Sequence, residues 1–296
     1  MRRVLSAVIL LAFASTALAA PVPKGIKRKL LIVSMRSGSA GLILVDDDGR
    51  NATPLTNDKF HNSYPAWSPD GTKIAFCSNR AGGPLHIYTM DADGKNVKAL
   101  TTGGLQCRVP AWSPDGKSIA FCRSNPNGGS NICVIPADGG EIKALDGDAW
   151  DPAWSPDGKS LAFVSLRDGD GFRLHRMTAD GKDAKCLFPK GNNFGNAYPT
   201  WSPDGKTILW SHGVNNNLEL HAVGADGSNP KPITKIGAGL CLYPSWSPDG
   251  KKIAYVSLPR GQKGTIQVMD ADGGNAKAIV SDEAYVEGGR PVWKPR

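Results

Sequence analysis

One motif returns along the sequence at a nearly fixed interval. A tryptophan followed by Ser-Pro-Asp-Gly occurs five times, at Trp67, Trp112, Trp154, Trp201 and Trp246. A shortened sixth copy, Pro291-Val292-Trp293-Lys294-Pro295, lies near the end of the chain. The intervals between successive tryptophans are 45, 42, 47, 45 and 47 residues. A fixed period in this range indicates a repeat architecture, so the content of each repeat decides the fold.

Each repeat has the pattern of four antiparallel strands joined by tight turns. In the first copy a short strand ends at Trp67. Pro65 is predicted to begin this strand, because proline cannot donate to the middle of a ladder. The Ser-Pro-Asp-Gly segment is a hairpin turn, in which proline presets the first corner and glycine accepts a positive φ. Further strands are predicted over residues 73–77, 87–90 and 97–100, and the later repeats give the same order.

The two ends of the chain determine the number of blades. The sixth tryptophan copy supplies a first strand and the chain then stops. Segments 30–34 and 42–45 precede the first tryptophan copy and match a second and a third strand. We therefore predict an all-β, six-bladed β-propeller of four-stranded antiparallel blades. Its ring closes by pairing the N-terminal strands with the C-terminal strand, which removes exposed sheet edges.

The first residues have the pattern of an export signal. Arg2 and Arg3 precede an apolar run, and Ala17-Leu18-Ala19 suits cleavage. The run is shorter than the roughly 18 residues that a membrane span requires. The sequence predicts a signal peptide over residues 1–19, a linker over 20–28 and the propeller over 29–296. It also predicts a periplasmic or secreted protein that is not inserted in the membrane after signal cleavage.

The charge of the chain indicates which partners to expect, and its cysteine content bears on whether disulfides form. The formal net charge is +8, and losing Arg2 and Arg3 with the signal leaves +6. This balance favours acidic partners or anionic surfaces, and export argues against nucleic acid. The even number of cysteines, six, permits disulfides in an exported protein, and small buried thiols are the alternative. Cys122 and Cys133 lie on adjacent predicted strands and are candidates for a pair.

The two ends of the predicted propeller differ in character. In a four-stranded meander the first and third connections lie at one end, here called the turn end, which carries the repeated turns. The second connection and the crossing to the next blade lie at the other end, here called the variable end, where recognition is expected. Arginine suits carboxylates, and aromatic residues with arginine anchor interfaces. The predicted binding residues are Arg36, Arg80, Arg108, Arg123, Arg167, Arg260, Arg290, Tyr64, Trp150, Asp151, Tyr198 and Tyr243.

For part of this set, repeated packing is an alternative explanation to a role in binding. Tyr64, Tyr198 and Tyr243 recur at one repeat position, which also fits repeated packing. His175 and His221 likewise share a repeat position and are predicted to pack.

The sequence gives little support for catalysis. It contains no HExxH, no GxSxG and no glycine-rich phosphate loop. Residues 91–96 resemble the start of a calcium loop, but their glycine is fourth and an EF-hand needs it sixth. We predict a non-catalytic binding protein with no metal site and no cofactor, whose partner is an acidic protein or peptide of the cell envelope. The alternative is a lyase or lectin that acts on acidic sugars at the same end.

The repeat Pro-Ala-Trp-Ser-Pro-Asp-Gly-Lys-x-Ile-Ala-Phe, followed by Ile-Tyr-x-Met-Asp-Ala-Asp-Gly, resembles that of TolB-type propellers over residues 30–296. The resemblance implies a six-bladed propeller outside the cytoplasm that binds partner proteins, as TolB binds a peptidoglycan-associated lipoprotein. TolB carries an α/β domain ahead of its propeller, where this chain is expected to have only the linker. Oligogalacturonate lyases have a similar repeat but use a histidine-rich metal site, which five scattered histidines do not match.

Overall fold

The structure is a computed structural model that describes residues 29–35, 39–169, 171–188, 195–214, 216–235, 239–280 and 288–295. The predicted signal peptide, the predicted linker and Arg36 lie outside the described residues. In the part of the chain that is described, no helix is long and apolar enough to cross a membrane.

The described residues are organised almost entirely as β-strands and turns. In chain order the strands are β1 (Lys29–Ser34), β2 (Gly41–Asp46), β3 (Thr53–Pro54), β4 (Asn62–Trp67), β5 (Lys73–Ser78), β6 (His86–Asp91), β7 (Lys98–Ala99), β8 (Cys107–Trp112), β9 (Ser118–Ser124), β10 (Ser130–Pro136), β11 (Lys143–Gly147), β12 (Ala149–Trp154), β13 (Ser160–Ser165), β14 (Arg173–Thr178), β15 (Lys185–Cys186), β16 (Asn196–Trp201), β17 (Thr207–Val214), β18 (Asn217–Gly224), β19 (Lys231–Pro232), β20 (Gly239–Trp246), β21 (Lys252–Pro259), β22 (Thr265–Asp270), β23 (Lys277–Val280) and β24 (Val292–Trp293).

These strands form six four-stranded blades. Blade 1 joins β24 to β1, β2 and β3, and blades 2 to 4 are β4–β7, β8–β11 and β12–β15. Blades 5 and 6 are β16–β19 and β20–β23, and the pair Leu218 and Leu240 links them into one continuous sheet. The strand that ends in the motif tryptophan is innermost in each blade, and these inner strands contact one another around a central axis. The predicted all-β, six-bladed propeller is confirmed.

The ring closes through the two ends of the described chain. Leu30 lies opposite Trp293, and Leu31 lies opposite Val292, in an antiparallel pair between β1 and β24. The backbone N–H of Lys294 donates to the Lys29 carbonyl at 2.9 Å. Blade 1 is therefore assembled from both ends of the propeller, as the sequence predicts.

The position of the proline in the inner strands differs from the prediction. β4 begins at Asn62, and Pro65 lies inside the strand, so the prediction that Pro65 begins it is wrong. The ladder between β4 and β5 shifts register between Ser63 and Ala66. Pro65 lies within this bulge, where no ladder hydrogen bond is required of it.

The Ser-Pro-Asp-Gly turns are closed by hydrogen bonds that the motif itself supplies. In blade 2 the Ser68 hydroxyl donates to Asp70 at 2.6 Å and accepts the Lys73 backbone N–H at 2.9 Å. The Gly71 N–H donates to the Ser68 carbonyl at 2.9 Å, with Gly71 at a φ of +67°. The motif residues are thus used in building the turn end.

Tryptophan indoles connect neighbouring blades. Three motif tryptophans each donate the indole N–H to a backbone carbonyl of the previous blade, at 3.0 to 3.2 Å. The acceptor is the residue just before that blade's own motif tryptophan. The pairs are Trp112 to Ala66, Trp201 to Ala153, and Trp293 to Ser245. Apolar side chains of the second strands, such as Ile74 and Phe76, are fully buried between blades. Burial of each such side chain contributes about 1.5 to 3 kcal/mol.

The cysteines are buried thiols and not disulfides. All six are free, and five of them are buried while Cys186 is half-buried. Cys122 pairs with Ile132 across β9 and β10, whereas Cys133 pairs with Phe121. An offset of one residue places Cys122 and Cys133 on opposite faces of the sheet, so the predicted candidate pair does not form.

Replacement of Trp293 tests ring closure. Trp293 and Trp201 are similarly buried and donate similar hydrogen bonds. We expect Trp293→Ala and Trp201→Ala each to lower the free energy of unfolding by about 3 to 5 kcal/mol, measured by urea denaturation. Leu166→Ala, at a side chain that is 40% exposed, is the control and should change it by less than about 0.5 kcal/mol. A Trp293→Ala variant as stable as the Leu166→Ala variant would contradict ring closure.

Candidate binding site at the variable end

A cavity of about 400 Å³ opens at the variable end of the propeller axis. Ser124 and Ser130, on either side of the connection between β9 and β10, contribute to its lining. Gly195, in the crossing that enters blade 5, lies on another side. The cavity is therefore bordered by the connections that vary from blade to blade.

The wall of this cavity combines aromatic rings with one guanidinium. Arg108 and Trp150 each lie four residues before a motif tryptophan and line the cavity. The Arg108 guanidinium donates to the side-chain oxygen of Gln106. The Trp150 ring packs edge-on against Phe172, with centroids 4.8 Å apart. A ligand here would meet flat apolar surfaces and a planar cationic donor.

The inner strands supply the floor of the cavity. We call axial residues the six that lie three positions before a motif tryptophan: Tyr64, Val109, Asp151, Tyr198, Tyr243 and Arg290. The four of these that belong to blades 2 to 5 line the cavity. The axial residues of blades 2 to 6 have φ between +49° and +56°. Each precedes a proline, and a non-glycine residue in front of a proline strongly disfavours positive φ.

This backbone conformation is imposed by bulges in the inner strands. In each of blades 2 to 6 the ladder skips two residues, the axial residue and the proline that follows it. The released axial N–H groups bond to neighbouring blades: Tyr64 donates to the Gly288 carbonyl at 2.9 Å, and Asp151 donates to the Cys122 sulfur at 3.1 Å. The bulges therefore join adjacent blades at the axis.

Three axial tyrosines from different blades meet at the axis. The ring centroids of Tyr198 and Tyr243 are 4.0 Å apart, and Tyr64 meets Tyr243 edge-on at 6.3 Å. The Tyr243 hydroxyl accepts the Gly288 N–H at 3.1 Å. Gly288, at a φ of +81°, also lets the Tyr64 ring approach, because a Cβ at position 288 would lie 2.6 Å from ring carbons. The tyrosine cluster is a packed floor.

Two axial residues carry opposite charges. Burial raises the pKa of Asp151 to about 6, although the Tyr198 N–H, Arg290 and Arg108 oppose that shift. The Tyr198 N–H donates to the Asp151 carboxylate at 3.1 Å. Burial lowers the pKa of Arg290, and the Asp151 charge partly offsets this. Burial also raises the pKa of Tyr198, so that its hydroxyl stays neutral.

A second cavity, of about 250 Å³, lies on the turn-end side of the axial residues. It is lined by small residues such as Ala66 and Ala111, which directly precede the motif tryptophans, and by Arg290. Along β8, β12 and β16 the axial residue lies between the part of the strand that lines the first cavity and the part that lines the second. The tyrosine cluster thus lies between the two cavities.

Arg80 is held by contacts within its own blade. Its guanidinium donates to Asp58 at 3.2 Å and to Asn62 at 3.0 Å. It also lies over the rings of Phe76 and Tyr88, at 5.2 and 5.1 Å. Its side chain is 18% exposed, so these contacts occupy much of its binding capacity.

Arg167 of blade 4 makes similar contacts, although its partner Asp146 lies on β11 of blade 3. It donates to the Ser165 hydroxyl at 3.0 Å, pairs with the Asp146 carboxylate and lies 5.1 Å from the Phe163 ring. Arg80 and Arg167 hold the connection after the second strand in place. A role for either residue in binding a partner stays a prediction.

The remaining predicted residues divide between the two cavities and the surface. Arg108, Trp150, Asp151, Tyr64 and Tyr198 line the variable-end cavity. Tyr243 belongs to the tyrosine cluster, and Arg290 lines the turn-end cavity. Arg123 is half-buried on β9 and Arg260 is exposed after β21. The arginines of the predicted set are thus spread among different surroundings, with Arg108 in the cavity wall.

Sequence reasoning missed the ring of axial residues. It recognised Tyr64, Tyr198 and Tyr243 as equivalent, but did not place Val109, Asp151 and Arg290 at the same repeat position. Counting back from each tryptophan reveals all six, each followed by proline. Phe172 and Asn196, which also line the cavity, carry no such signal because they lie in segments that differ between repeats.

Comparisons with known proteins agree with the fold. The sequence matches the TolB beta propeller domain over residues 11–126 and over residues 105–224. A Protein TolB homolog of Chlorobaculum tepidum is 38% identical over 56 residues, which is 19% of this chain and 13% of that protein. The crystal structure of TolB from Acinetobacter baumannii superposes with a TM-score of 0.73 at 26% identity, over 91% of this chain and 67% of that chain. The structure of putative TolB from Agrobacterium tumefaciens gives 0.72 at 24% identity, over 90% and 97%.

The Asp151→Asn variant tests the buried axial carboxyl. Its pKa of about 6 lies above the ordinary 3.8, so between pH 4 and 6 the folded protein holds more protons than the unfolded chain. The free energy of unfolding therefore falls through this window as pH rises, by at most about 3 kcal/mol from this group. Asparagine still accepts a hydrogen bond from the Tyr198 N–H but does not titrate. Urea denaturation from pH 4 to 7 should therefore show that the variant has lost this decrease in the free energy of unfolding.

Asp204→Asn is the control for this measurement. The Ser202 hydroxyl holds the pKa of Asp204 below its ordinary value, so its stabilisation is present above pH 4 and is lost in acid, the opposite sign. An Asp151→Asn profile that parallels the original protein would show that this carboxyl is not buried at the axis.

Proposed function

This chain belongs to the TolB beta propeller domain family, and we propose that it is a non-catalytic binding protein of the cell envelope. Its variable-end cavity takes an acidic segment of a partner protein. The observation that carries the proposal is the cavity of about 400 Å³ with Arg108, Trp150 and four of the axial residues in its lining.

The shape of the cavity favours a segment that enters from one side. The packed tyrosine cluster lies below it, with Tyr198 and Tyr243 at 4.0 Å, so a bound chain would stop at this floor. A cavity of this volume accommodates a few side chains of an extended peptide. Aromatic walls such as Trp150 and Phe172 provide contact area at little cost in conformational entropy. A projecting loop or chain end of a partner fits these limits.

The charges at the axis favour a carboxylate on that segment. Arg108 lies in the wall, Arg290 lies beyond the floor, and Asp151 is the acidic axial residue between them. Two cations against one anion leave the axis positive at neutral pH. Arg108 presents a planar fork that suits carboxylate oxygens. The partner group proposed here is an acidic side chain or a C-terminal carboxylate.

An envelope location is part of the same proposal. The two arginines, the apolar run and the Ala-Leu-Ala site within residues 1–19 have the composition of an export signal. The solved relatives named above are TolB proteins, which agrees with a role in the periplasm.

Replacing Arg108 tests the proposed site. The immobilised full chain captures partners from envelope extract, and mass spectrometry identifies them. The acidic segments of these partners are then prepared as peptides, and their binding affinities are measured. Arg108→Ala should weaken binding roughly 10- to 150-fold, the loss of a charged hydrogen bond worth about 1.5 to 3 kcal/mol. Lys117→Ala removes the same charge from the exposed turn end of the same blade and should leave the affinity within about twofold.

Two results would contradict the proposal. Equal binding by the Arg108→Ala and Lys117→Ala variants would place the site elsewhere. Turnover of oligogalacturonate with a divalent metal, followed by the absorbance of the unsaturated product, would instead favour a lyase for acidic sugars.

A further inference from the structure

Blade 4 contains a group of three potential metal ligands away from the variable-end cavity. Asp168 lies in the connection between β13 and β14, His175 lies on β14, and Cys186 lies on β15. His175 and Cys186 are directly opposite each other in the ladder. One ligand atom from each of the three side chains lies within 4.8 Å of the others. The sequence patterns gave no indication of this group.

The imidazole of His175 is fixed on three sides. Its Nδ1 lies 3.0 Å from the Arg173 carbonyl oxygen, and its Nε2 lies 3.0 Å from Asp168 Oδ2. Phe163 stacks on the ring with centroids 5.4 Å apart. His175 is 1% exposed, so the ring cannot turn away without disturbing the blade.

These contacts leave a gap in the hydrogen bonding. A carbonyl only accepts, so Nδ1 carries the proton that it donates to Arg173. In a neutral imidazole Nε2 is then a lone pair that faces the Asp168 carboxylate, and two acceptors meet at 3.0 Å. A positive species between them, either a proton or a metal ion, resolves this conflict. A histidine that donates one ring N–H to a backbone carbonyl is the usual arrangement of a metal ligand.

The geometry points to a binding site for a Zn²⁺-class cation formed by Asp168, His175 and Cys186. Thiolate, imidazole and carboxylate together suit Zn²⁺ and similar ions, whereas Ca²⁺ and Mg²⁺ prefer oxygen ligands alone. Ligands in a tetrahedral zinc site lie about 3.3 to 3.8 Å apart. Shifts of about 1 Å bring the three atoms to that spacing.

The site is accessible and its charges are compatible with a cation. The Asp168 side chain is 36% exposed, which leaves a route from solvent. Metal binding forms a sulfur–metal bond and releases to water the thiol proton that Cys186 donates to the Phe188 carbonyl at 3.0 Å. Arg173 adds positive charge near Asp168 and Cys186. One thiolate and one carboxylate balance a divalent ion beside it.

Metal bound here would also affect the wall of the variable-end cavity. The connection that carries Asp168 leads to Phe172, whose ring packs on Trp150. An ion at Asp168 would tether this connection to β14 and β15. The inference itself does not depend on the proposed function, because it concerns different residues.

Cobalt titration tests the site in the full chain. The protein is stripped with a chelator, and Co²⁺ is added while the near-ultraviolet and visible spectra are recorded. We expect a thiolate-to-cobalt charge-transfer band that Zn²⁺ abolishes and that Ca²⁺ does not. Zn²⁺ should also raise the Tm. Cys186→Ala should remove the band and weaken Co²⁺ binding at least tenfold.

Cys133→Ala is the matched control, because Cys133 occupies in blade 3 the repeat position that His175 occupies in blade 4. It should retain the band, and circular dichroism shows whether both variants are folded. Absence of the band from the original protein, or the same band in the Cys186→Ala variant, would overturn the inference. So would NMR showing a proton on His175 Nε2 in the presence of excess Zn²⁺.

Discussion

A positive φ in front of a proline is the constraint on which the centre of this propeller depends. Tyr64, Val109, Asp151, Tyr198 and Tyr243 all adopt it, and each residue costs on the order of 1 to 3 kcal/mol. The cost is offset because the bulge frees a backbone N–H to bond to a neighbouring blade, as Asp151 does to Cys122. The same bulge turns the axial side chains toward one another. The bulges in the inner strands therefore explain three features together: the strained backbone, the hydrogen bonds between blades and the packing of side chains at the axis.

The two ends of the propeller also have different roles, one structural and one in the candidate site. At the turn end the repeated serine, aspartate and glycine are consumed in their own hydrogen bonds, as at Ser68 and Asp70. At the variable end the axial residues form a floor, and irregular segments such as that carrying Phe172 form the wall. Among the axial residues, Asp151 gives the floor a negative charge, and Arg290 adds a positive charge beyond it, in the turn-end cavity. A regular ring thus supports a site that is not symmetric.

The architecture was predictable from the sequence because it follows from local chemistry repeated at a fixed period. The six tryptophans, the turns and the pairing of Leu30 with Trp293 required no knowledge of side-chain contacts. The contacts of the arginines did require it, because Arg80 meets Asp58, which lies 22 residues earlier in the chain. The group of Asp168, His175 and Cys186 was hidden for the same reason, since it joins a connection to two strands of one blade. Irregular contacts leave no period to detect.

The meeting of tyrosines from three blades is the most direct consequence of the axial bulges. It can be measured by nuclear Overhauser effects between tyrosine rings in a deuterated, tyrosine-labelled sample, with each signal assigned through its Tyr→Phe variant. Centroid distances of 4.0 and 6.3 Å predict cross-peaks from Tyr243 to both Tyr198 and Tyr64. Absence of both cross-peaks in the folded protein would show that the axial residues do not converge, and the closed axis would be contradicted.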